Sequence, residues 1–394
     1  MPSVLARHWT LDPEIAYLNH GSFGATPREV LAEQQRLRDR MEREPVLFLA
    51  RELQAGIDEA RAALAPFLGA RGEDLVFIPN ATTAVNAVLR SLEFQAGDEI
   101  LVTNHGYNAC RNAVEYVAQR SAARAVVARV PFPLRSPDEV VEAVLAAVTP
   151  RTKLALLDHV TSPTGIVFPI ERLIVELRER GVPVLVDGAH APGMLPLDLN
   201  ALGAEYYTGN LHKWVCAPKG AAFLWVRPER QEAIRPVVIS HGANARFDAR
   251  SRFQVEFDWV GTDDPTAVLC VPAALKFLGA LHPGGWDELR SKNHALAMEA
   301  RALLSRSLGV EPPAPESMIG TLVALKLPDA KPGGQRTAFD WDPLQRALFD
   351  HHMIEVVVST WPAAPTRWVR ISAQAYNEIG DYRRLAEALR AELL

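Results

Sequence analysis

The chain carries the sequence EYYTGNLHKW at residues 205–214, where an apolar run ends in small and polar residues. Lys213 comes shortly before a second apolar run, AAFLWV at residues 221–226. The lysine is therefore predicted to lie in the turn between two strands. Loss of solvation there would lower the pKa of its amine and make it a nucleophile toward carbonyl groups. A solvated loop lysine is the commoner alternative, so residues elsewhere in the chain must decide between the two.

Length and composition predict an ordinary globular protein. The chain has 394 residues, of which 48% are hydrophobic and 23% charged, and this length favours two domains. The net charge is −5, and acidic and basic residues are interspersed along the chain. No basic stripe that would bind nucleic acid is therefore expected.

Cysteine usage and hydropathy indicate the compartment. Cys110, Cys216 and Cys270 are widely spaced and odd in number, which fits neither a disulfide framework nor a zinc site, and no metal is expected. No run of about 18 apolar residues would span a membrane, and the first residues lack the apolar core of a signal peptide. We therefore expect a cytoplasmic protein without membrane contact.

Apolar runs without alternation predict the fold. They alternate with helical segments of roughly ten residues, which is typical of a parallel sheet covered on both faces. With the runs on either side of Lys213, they predict an α/β domain with a mostly parallel seven-stranded sheet, whose other strands are expected at 75–78, 99–102, 125–130, 153–160 and 182–187.

The regular alternation stops after residue 226. Residues 240–264 form a long polar stretch that includes Arg246 and is predicted to be a functional or interface loop. A helix over 266–281 follows, and then a smaller α+β domain with a Pro/Gly-rich loop at 328–336. We place the large domain at 16–265 and the small domain at 266–394. The N-terminal arm 1–15 is expected to belong to the small domain.

Polar residues cluster where predicted strands end. Ligands of open α/β sheets bind beyond the carboxyl ends of the strands, so these side chains are expected to converge on one site. The stretch 80–83 also precedes a helix predicted over 84–92, where free amides and the helix dipole favour an anion. The residues at strand ends are Asn80, Thr82, His105, Tyr107, Ser162, Asp187 and His190.

Four of these features match one cofactor. Asp187 ends its strand 26 residues before Lys213, and an acid there can hold a protonated pyridine nitrogen while the lysine binds an aldehyde. The helix start at 80–83 suits a phosphate, and His105 or Tyr107 can stack on a flat ring. The combination favours pyridoxal phosphate.

Seven motifs extend this interpretation over nearly the whole chain, which resembles the class V branch of fold-type I pyridoxal-phosphate enzymes and, within it, the isopenicillin N epimerase-like subgroup. The fold implied is that of the fold-type I transferases. The motifs are YLNHGSFG at 17–24, NATTA at 80–84, DHVTSPTG at 158–165, VDGAHA at 186–191, GNLHKW at 209–214, GTD at 261–263 and VRISAQ at 369–374.

The resemblance implies roles for single residues. Lys213 is then the Schiff-base lysine, Asp187 the partner of the pyridine nitrogen and His105 the residue stacked on the ring, with Tyr107 as the alternative. Arg370 would bind the substrate α-carboxylate, because its fork contacts both oxygens. Further cofactor contacts are implied for Thr82, Thr83, Ser162, His190, Asn210 and His212, for Thr262 from the partner subunit of a homodimer with its active site at the interface, and further substrate contacts for Asn19 and His20.

The reaction stays more open than the cofactor. Lys213 is expected to take the Cα proton of an amino acid as general base, and the resemblance favours an epimerase, with a C–S lyase or an aminotransferase as alternatives. An epimerase needs a second acid, for which His105, Tyr107 or the loop 20–22 is available. Residues 351–365 lack the cysteine that carries a persulfide in cysteine desulfurases. A cofactor-free binding protein of the same fold is the alternative outside enzymes, and no Gly-x-Gly-x-x-Gly supports a dinucleotide-binding oxidoreductase.

Overall fold

The computed structural model describes residues 3–245, 250–330 and 340–393. Its strands form one large sheet and two small ones. They are β1 Ala16–Tyr17, β2 Leu75–Ile78, β3 Glu99–Thr103, β4 Arg124–Ala128, β5 Thr152–Asp158, β6 Val184–Asp187, β7 Tyr206–Asn210, β8 Ala222–Val226, β9 Leu322–Lys326, β10 Ile354–Glu355, β11 Val357–Thr360 and β12 Arg367–Ser372.

The seven-stranded sheet has the order β2-β8-β7-β6-β5-β3-β4. Strand β8 runs antiparallel to both of its neighbours, and the other pairs are parallel. The prediction of a mostly parallel seven-stranded sheet is confirmed. The antiparallel pair β7–β8 is joined by the turn that contains Lys213.

Both faces of this sheet are buried, as the missing alternation predicted. Successive residues of a strand point to opposite faces, and in β2 Leu75 and Phe77 belong to one apolar cluster while Val76 and Ile78 belong to another. The same division holds in β6, where Val184 and Val186 lie in the first cluster and Leu185 in the second.

Helices cover the sheet and build the C-terminal part of the chain. They are α1 Arg28–Arg43, α2 Pro45–Leu47, α3 Leu53–Phe67, α4 Ala81–Ser91, α5 Asn108–Ser121, α6 Pro137–Ala146, α7 Ile170–Glu179, α8 Leu199–Leu202, α9 Arg252–Asp258, α10 Thr266–Leu269, α11 Val271–Gly279, α12 Gly285–Leu308, α13 Pro343–His352 and α14 Ile379–Leu393. Within the described ranges, none of them combines the length and the apolar character that crossing a bilayer requires.

The small sheets lie in the C-terminal part and reach back to the N-terminus. Strands β11, β12 and β9 form an antiparallel sheet, while β10 pairs in parallel with β1. The apolar residues at 354–358 predict a single strand, whereas the structure has two strands there with different partners. The domain boundary between 265 and 266 stays a prediction.

The polar stretch 240–264 is not a continuous loop. It contains α9, which is capped by the Ser251 hydroxyl and buries Phe253 and Phe257 in the second cluster. The sequence pattern did not predict this helix, because its charged residues look solvent-exposed. Glu256 is in fact buried in ion pairs with Arg235 and Arg252. Arg246 and most of the loop 328–336 lie outside the described residues.

Candidate active site

A cavity of about 930 Å³ opens where the carboxyl ends of the central strands meet the small antiparallel sheet. Five of the residues expected at the site line it: Asn19 after β1, Tyr107 after β3, Ser162 after β5, Lys213 after β7 and Arg370 on β12. Of the residues expected to converge at the strand ends, Tyr107 and Ser162 line the cavity, and His190 contacts Lys213.

Lys213 projects from the β7–β8 turn with its amine 3.1 Å from His190 Nε2. Burial, followed by the positive charge of Arg370, lowers the pKa of Lys213 to about 7, although the charge of Asp187 opposes the change. Burial followed by the charge of Lys213 also holds the pKa of His190 well below its usual range, so His190 is neutral. An amine with a pKa near 7 is available as a nucleophile or base at neutral pH.

Asp187 ends β6 beside a second carboxyl group. Its Oδ1 accepts the Ala189 amide at 3.0 Å, and its Oδ2 accepts the Cys110 thiol at 3.2 Å. Asp158 ends β5 in register with Asp187, and burial followed by the charge of Asp187 raises the pKa of Asp158 well above its usual range. Like charges disfavour joint ionisation, so the Asp158 carboxyl group keeps its proton.

The start of α4 presents backbone donors. Asn80 caps the helix by accepting the Thr83 amide at 2.9 Å, and the Ala81 amide donates to Asn210 Oδ1 at 2.9 Å. The Thr82 amide has no acceptor among the described residues. The helix begins three residues before the predicted start at Ala84, because Asn80 fixes its first turn. This end of α4 can bind an anion.

Arg370 is buried and held by three hydrogen bonds. Its NH1 group donates to the Ser162 carbonyl at 2.5 Å and to the Ser162 hydroxyl at 3.2 Å, and its NH2 group donates to Ser22 Oγ at 2.9 Å. Burial lowers the pKa of Arg370 to about 10, so the guanidinium stays charged at neutral pH. The fork is fixed in place before a carboxylate binds.

His105 and Tyr107 differ in where they lie. His105 is fully buried, with Nδ1 2.7 Å from Thr164 Oγ1 and Nε2 3.3 Å from the Val130 carbonyl, and its ring packs 4.4 Å from that of Trp361. Burial lowers the pKa of His105 to about 4. Tyr107 instead lines the cavity and is partly exposed. Of the two candidates for a ring-stacking residue, only Tyr107 faces the cavity.

Asn19 and His20, adjacent in sequence, point to different places. Asn19 lines the cavity. His20 is fully buried beneath it, with Nδ1 2.7 Å from the Tyr376 hydroxyl and Nε2 3.0 Å from the Lys213 carbonyl. Its position supports the turn that carries Lys213 and leaves no ring nitrogen for a substrate.

Two expected phosphate contacts lie at the edge of the site. His212 Nδ1 is 3.1 Å from the Ala221 carbonyl, and burial lowers the pKa of His212 to about 4. Thr262 is exposed between α9 and α10 and does not line the cavity. Its assigned role requires a second subunit and stays a prediction.

The residues present fit pyridoxal phosphate. His190 Nδ1 is buried without a hydrogen-bond partner among the described residues, and a buried unpaired nitrogen is costly unless a ligand satisfies it. The Lys213 amine, the Asp187 carboxyl group and the Thr82 amide supply the other three interactions that such a cofactor needs.

Three residues near the site did not enter the sequence analysis as candidates. Asp158 ends a strand as Asp187 does, so the rule of strand ends could have found it. Gly24 lies so close to the Lys213 turn that an added Cβ would be 2.8 Å from Lys213 Cα, and the Gly-rich motif at 17–24 hinted at this. Glu355 lines the cavity only because β10 pairs with β1, which no local signal predicts.

Comparison with known proteins adds a family. The model of the aminotransferase class V family matches residues 17–341. The chain is similar to isopenicillin N epimerase from Amycolatopsis lactamdurans, at 40% identity over 97% of this chain and 96% of that protein. It is also similar to a probable chloroplastic L-cysteine desulfhydrase from Arabidopsis thaliana, at 33% identity over 96% and 83% of the two chains.

A solved structure shares the fold. The cystine C–S lyase C-DES, in complex with cysteine persulfide, superposes with a TM-score of 0.79 at 22% identity, over 96% of this chain and 97% of that one. The fold-type I assignment made from the sequence is confirmed.

Proposed function

The chain belongs to the class V aminotransferase family of pyridoxal-phosphate-dependent enzymes, and we propose that it is an epimerase acting at Cα of an amino-acid substrate. The observation that carries the proposal is the Lys213 amine, with a pKa near 7, in one cavity with the fixed guanidinium of Arg370. The 40% identity to an isopenicillin N epimerase over nearly the full length supports the same reaction.

Lys213 and Arg370 share the work on the substrate. Arg370 would bind the α-carboxylate, since Ser22 and Ser162 already orient its fork. Pyridoxal phosphate, when bound, withdraws electrons from Cα and acidifies its proton. The neutral Lys213 amine is the base that takes this proton.

Tyr107 is the proposed second acid. Both ring nitrogens of His105 and of His20 are engaged by buried partners. The Ser22 hydroxyl of the loop 20–22 holds Arg370, which leaves the phenol of Tyr107 as the candidate facing the cavity. Burial followed by the charges of Cys110 and Asp187 raises the pKa of Tyr107, so the hydroxyl keeps its proton until it donates. A proton returned from the side opposite to its removal inverts Cα.

A C–S lyase is the second candidate. The similarity to the Arabidopsis desulfhydrase favours it, and the same base at Cα would serve, with loss of a sulfur substituent replacing reprotonation. All three cysteines of the chain are buried. None of them is therefore placed to carry a persulfide, as the cysteine of a cysteine desulfurase does. Burial also raises the pKa of each thiol, which disfavours the reactive thiolate.

Incubation of the holoenzyme with amino acids in D₂O separates these reactions. We expect deuterium at Cα together with the inverted enantiomer, without keto acid and without released sulfide. Sulfide with keto acid from L-cysteine, and no inversion of any substrate, would establish the lyase instead. Keto acid without exchange into an inverted product would indicate transamination.

Tyr107→Phe tests the second acid, with Lys213→Ala as the control. Loss of the Tyr107 hydroxyl is expected to slow inversion by about 100-fold, the scale of a lost general acid, while deuterium exchange with retention continues. Lys213→Ala should abolish both. Equal slowing of exchange and inversion in Tyr107→Phe would assign Tyr107 to cofactor binding alone.

A further inference from the structure

The wall of the cavity built by β1 and β10 carries two acceptor oxygens that have no partner in the part of the chain that the structure describes. Asn19 is 8% exposed and its Nδ2 donates to Glu355 Oε1 at 3.0 Å, while its Oδ1 is buried and unpaired among the described residues. The other carboxylate oxygen of Glu355 has no hydrogen bond or ion pair to a described residue. Both side chains line the cavity.

The amide of Asn19 has one satisfactory orientation. Turning it over would place Oδ1 against Glu355 Oε1, and two acceptors cannot form a hydrogen bond. The free Oδ1 therefore faces away from Glu355. An unpaired buried acceptor costs about 1–3 kcal/mol, which a donor group in the cavity would recover.

The fold does not need these two side chains for strand pairing. The pairing of β1 with β10 is made by backbone groups, with the Ala16 amide donating to the Met353 carbonyl at 2.9 Å and the Leu18 amide to the Glu355 carbonyl at 2.8 Å. A buried amide and a carboxylate at this place add cost without adding backbone contacts, so a ligand is the simplest account of them.

The charges nearby identify the ligand. Among the basic side chains that line the cavity, Arg370 is held by Ser162 and Ser22, Arg111 pairs with Glu115, and Lys213 contacts His190. The Tyr17 hydroxyl donates to the Phe23 carbonyl and is not free to donate to Glu355. Burial raises the pKa of the Glu355 carboxyl group, against the hydrogen bond from Asn19, as expected for a carboxylate without a cation. A positively charged group with several N–H donors would pair with the Glu355 carboxylate and also donate to Asn19 Oδ1.

We propose that Glu355 and Asn19 form a subsite for a second, cationic amino group at the end of the substrate side chain. The inference rests on the proposed function, in which Arg370 binds the α-carboxylate of the same amino acid. The substrate class is then a diamino acid such as 2,4-diaminobutyrate, ornithine or lysine. A side chain ending in a carboxylate, as in 2-aminoadipate, would be repelled by Glu355.

Calorimetry with unreactive analogues tests the subsite in the intact holoenzyme at about pH 8, where a carboxyl group is ionised. The ligands are 2-hydroxy acids of four to six carbons, with and without a terminal amino group. They lack the α-amino group, and an unchanged absorbance spectrum of the holoenzyme checks that the terminal amine does not replace Lys213 on the cofactor. We expect the amino form of at least one length to bind about tenfold more tightly than its unsubstituted counterpart.

Two variants decide whether Glu355 is responsible. Glu355→Gln keeps the size and the bond from Asn19 but removes the charge, and it should abolish the preference for the amino form. Ser359→Ala removes a neutral group that lines the same cavity from β11 and should leave the preference intact.

Equal binding of amino and unsubstituted analogues by the wild type would overturn the subsite, as would equal weakening of both by Glu355→Gln. The proposed function fails by a different result. If no amino acid exchanges its Cα proton in D₂O while the amino preference is present, the subsite stands without the epimerase. Exchange without any amino preference removes the subsite alone.

Discussion

Lys213 shows how burial changes the chemistry of one residue. A lysine amine in water has a pKa near 10.4, and here burial lowers it to about 7 although Asp187 attracts the charged form. The loss of solvation therefore outweighs the favourable charge. His190, 3.1 Å away and itself neutral, adds no charge to this balance.

The rate of cofactor uptake by the apoenzyme should report this pKa. Only the neutral amine attacks an aldehyde, so the rate of covalent binding of pyridoxal phosphate should rise with pH and level off above a midpoint near 7. Stopped-flow absorbance over about pH 5 to 9, a range that brackets the expected midpoint, measures this rate. Lys213→Ala is the control and should show no covalent phase at any pH.

A midpoint near 10, the value of a solvated lysine, would contradict the burial of Lys213. A bell-shaped profile instead of a plateau would show that a second group also titrates.

Among the elements, the Gly-rich loop after β1 and the β7–β8 turn fit closely against each other. A Cβ on Gly24 would lie 2.4 Å from the His212 carbonyl oxygen and 2.8 Å from Lys213 Cα. The His20 ring bonds to the Lys213 carbonyl from the same loop. The loop therefore fixes the position of the Lys213 backbone in the site.

Gly24→Ala should displace the Lys213 turn, because a methyl group cannot fit against backbone atoms at these distances. We expect a loss of at least tenfold in kcat/KM, and of about 1–3 kcal/mol in the free energy of unfolding. Steady-state kinetics and urea denaturation measure the two effects.

Gly380→Ala is the matched control. Gly380 lies in the first turn of α14 with no atom within 4 Å of an added Cβ. It should leave kcat/KM unchanged and stabilise the protein by up to about 1 kcal/mol through helix propensity. If Gly24→Ala behaved like this control, the close contact with the Lys213 turn would have no role.

At the scale of the whole molecule, distant parts of the chain complete the cavity. Asn19 comes from the N-terminal loop, Tyr107 and Lys213 from the large sheet, and Glu355 and Arg370 from the C-terminal strands. Truncation at either end would open the site.

We expect a homodimer, and an exposed apolar run suggests where it forms. Val238 is 54% and Ile239 61% exposed, directly before the stretch 240–264 that carries Thr262. A consecutive exposed apolar run is typical of an interaction surface. Light scattering should give twice the chain mass of 43.3 kDa.

The double variant Val238→Glu and Ile239→Glu should shift the mass to that of one chain and weaken cofactor binding, because Thr262 is assigned to the partner's phosphate site. Val175→Glu is the control, since Val175 is 51% exposed but stands alone on α7. A double variant that stays dimeric would place the interface elsewhere.

The sequence by itself determined the class of fold and the cofactor. Strands such as 184–187 are apolar on both faces, and caps such as Asn80 act within one turn of their helix. These signals act over a few residues, so they can be read along the chain. The motifs around Asp187 and Lys213 are local in the same way.

Only the tertiary structure decided which side chains meet. His105 and Tyr107 are two residues apart, yet one packs against Trp361 and the other lines the cavity. Glu355 reaches Asn19 through a strand pair that joins residues more than 300 positions apart. Side-chain direction and strand partners depend on packing between residues far apart in the chain. The sequence near each residue does not predict them.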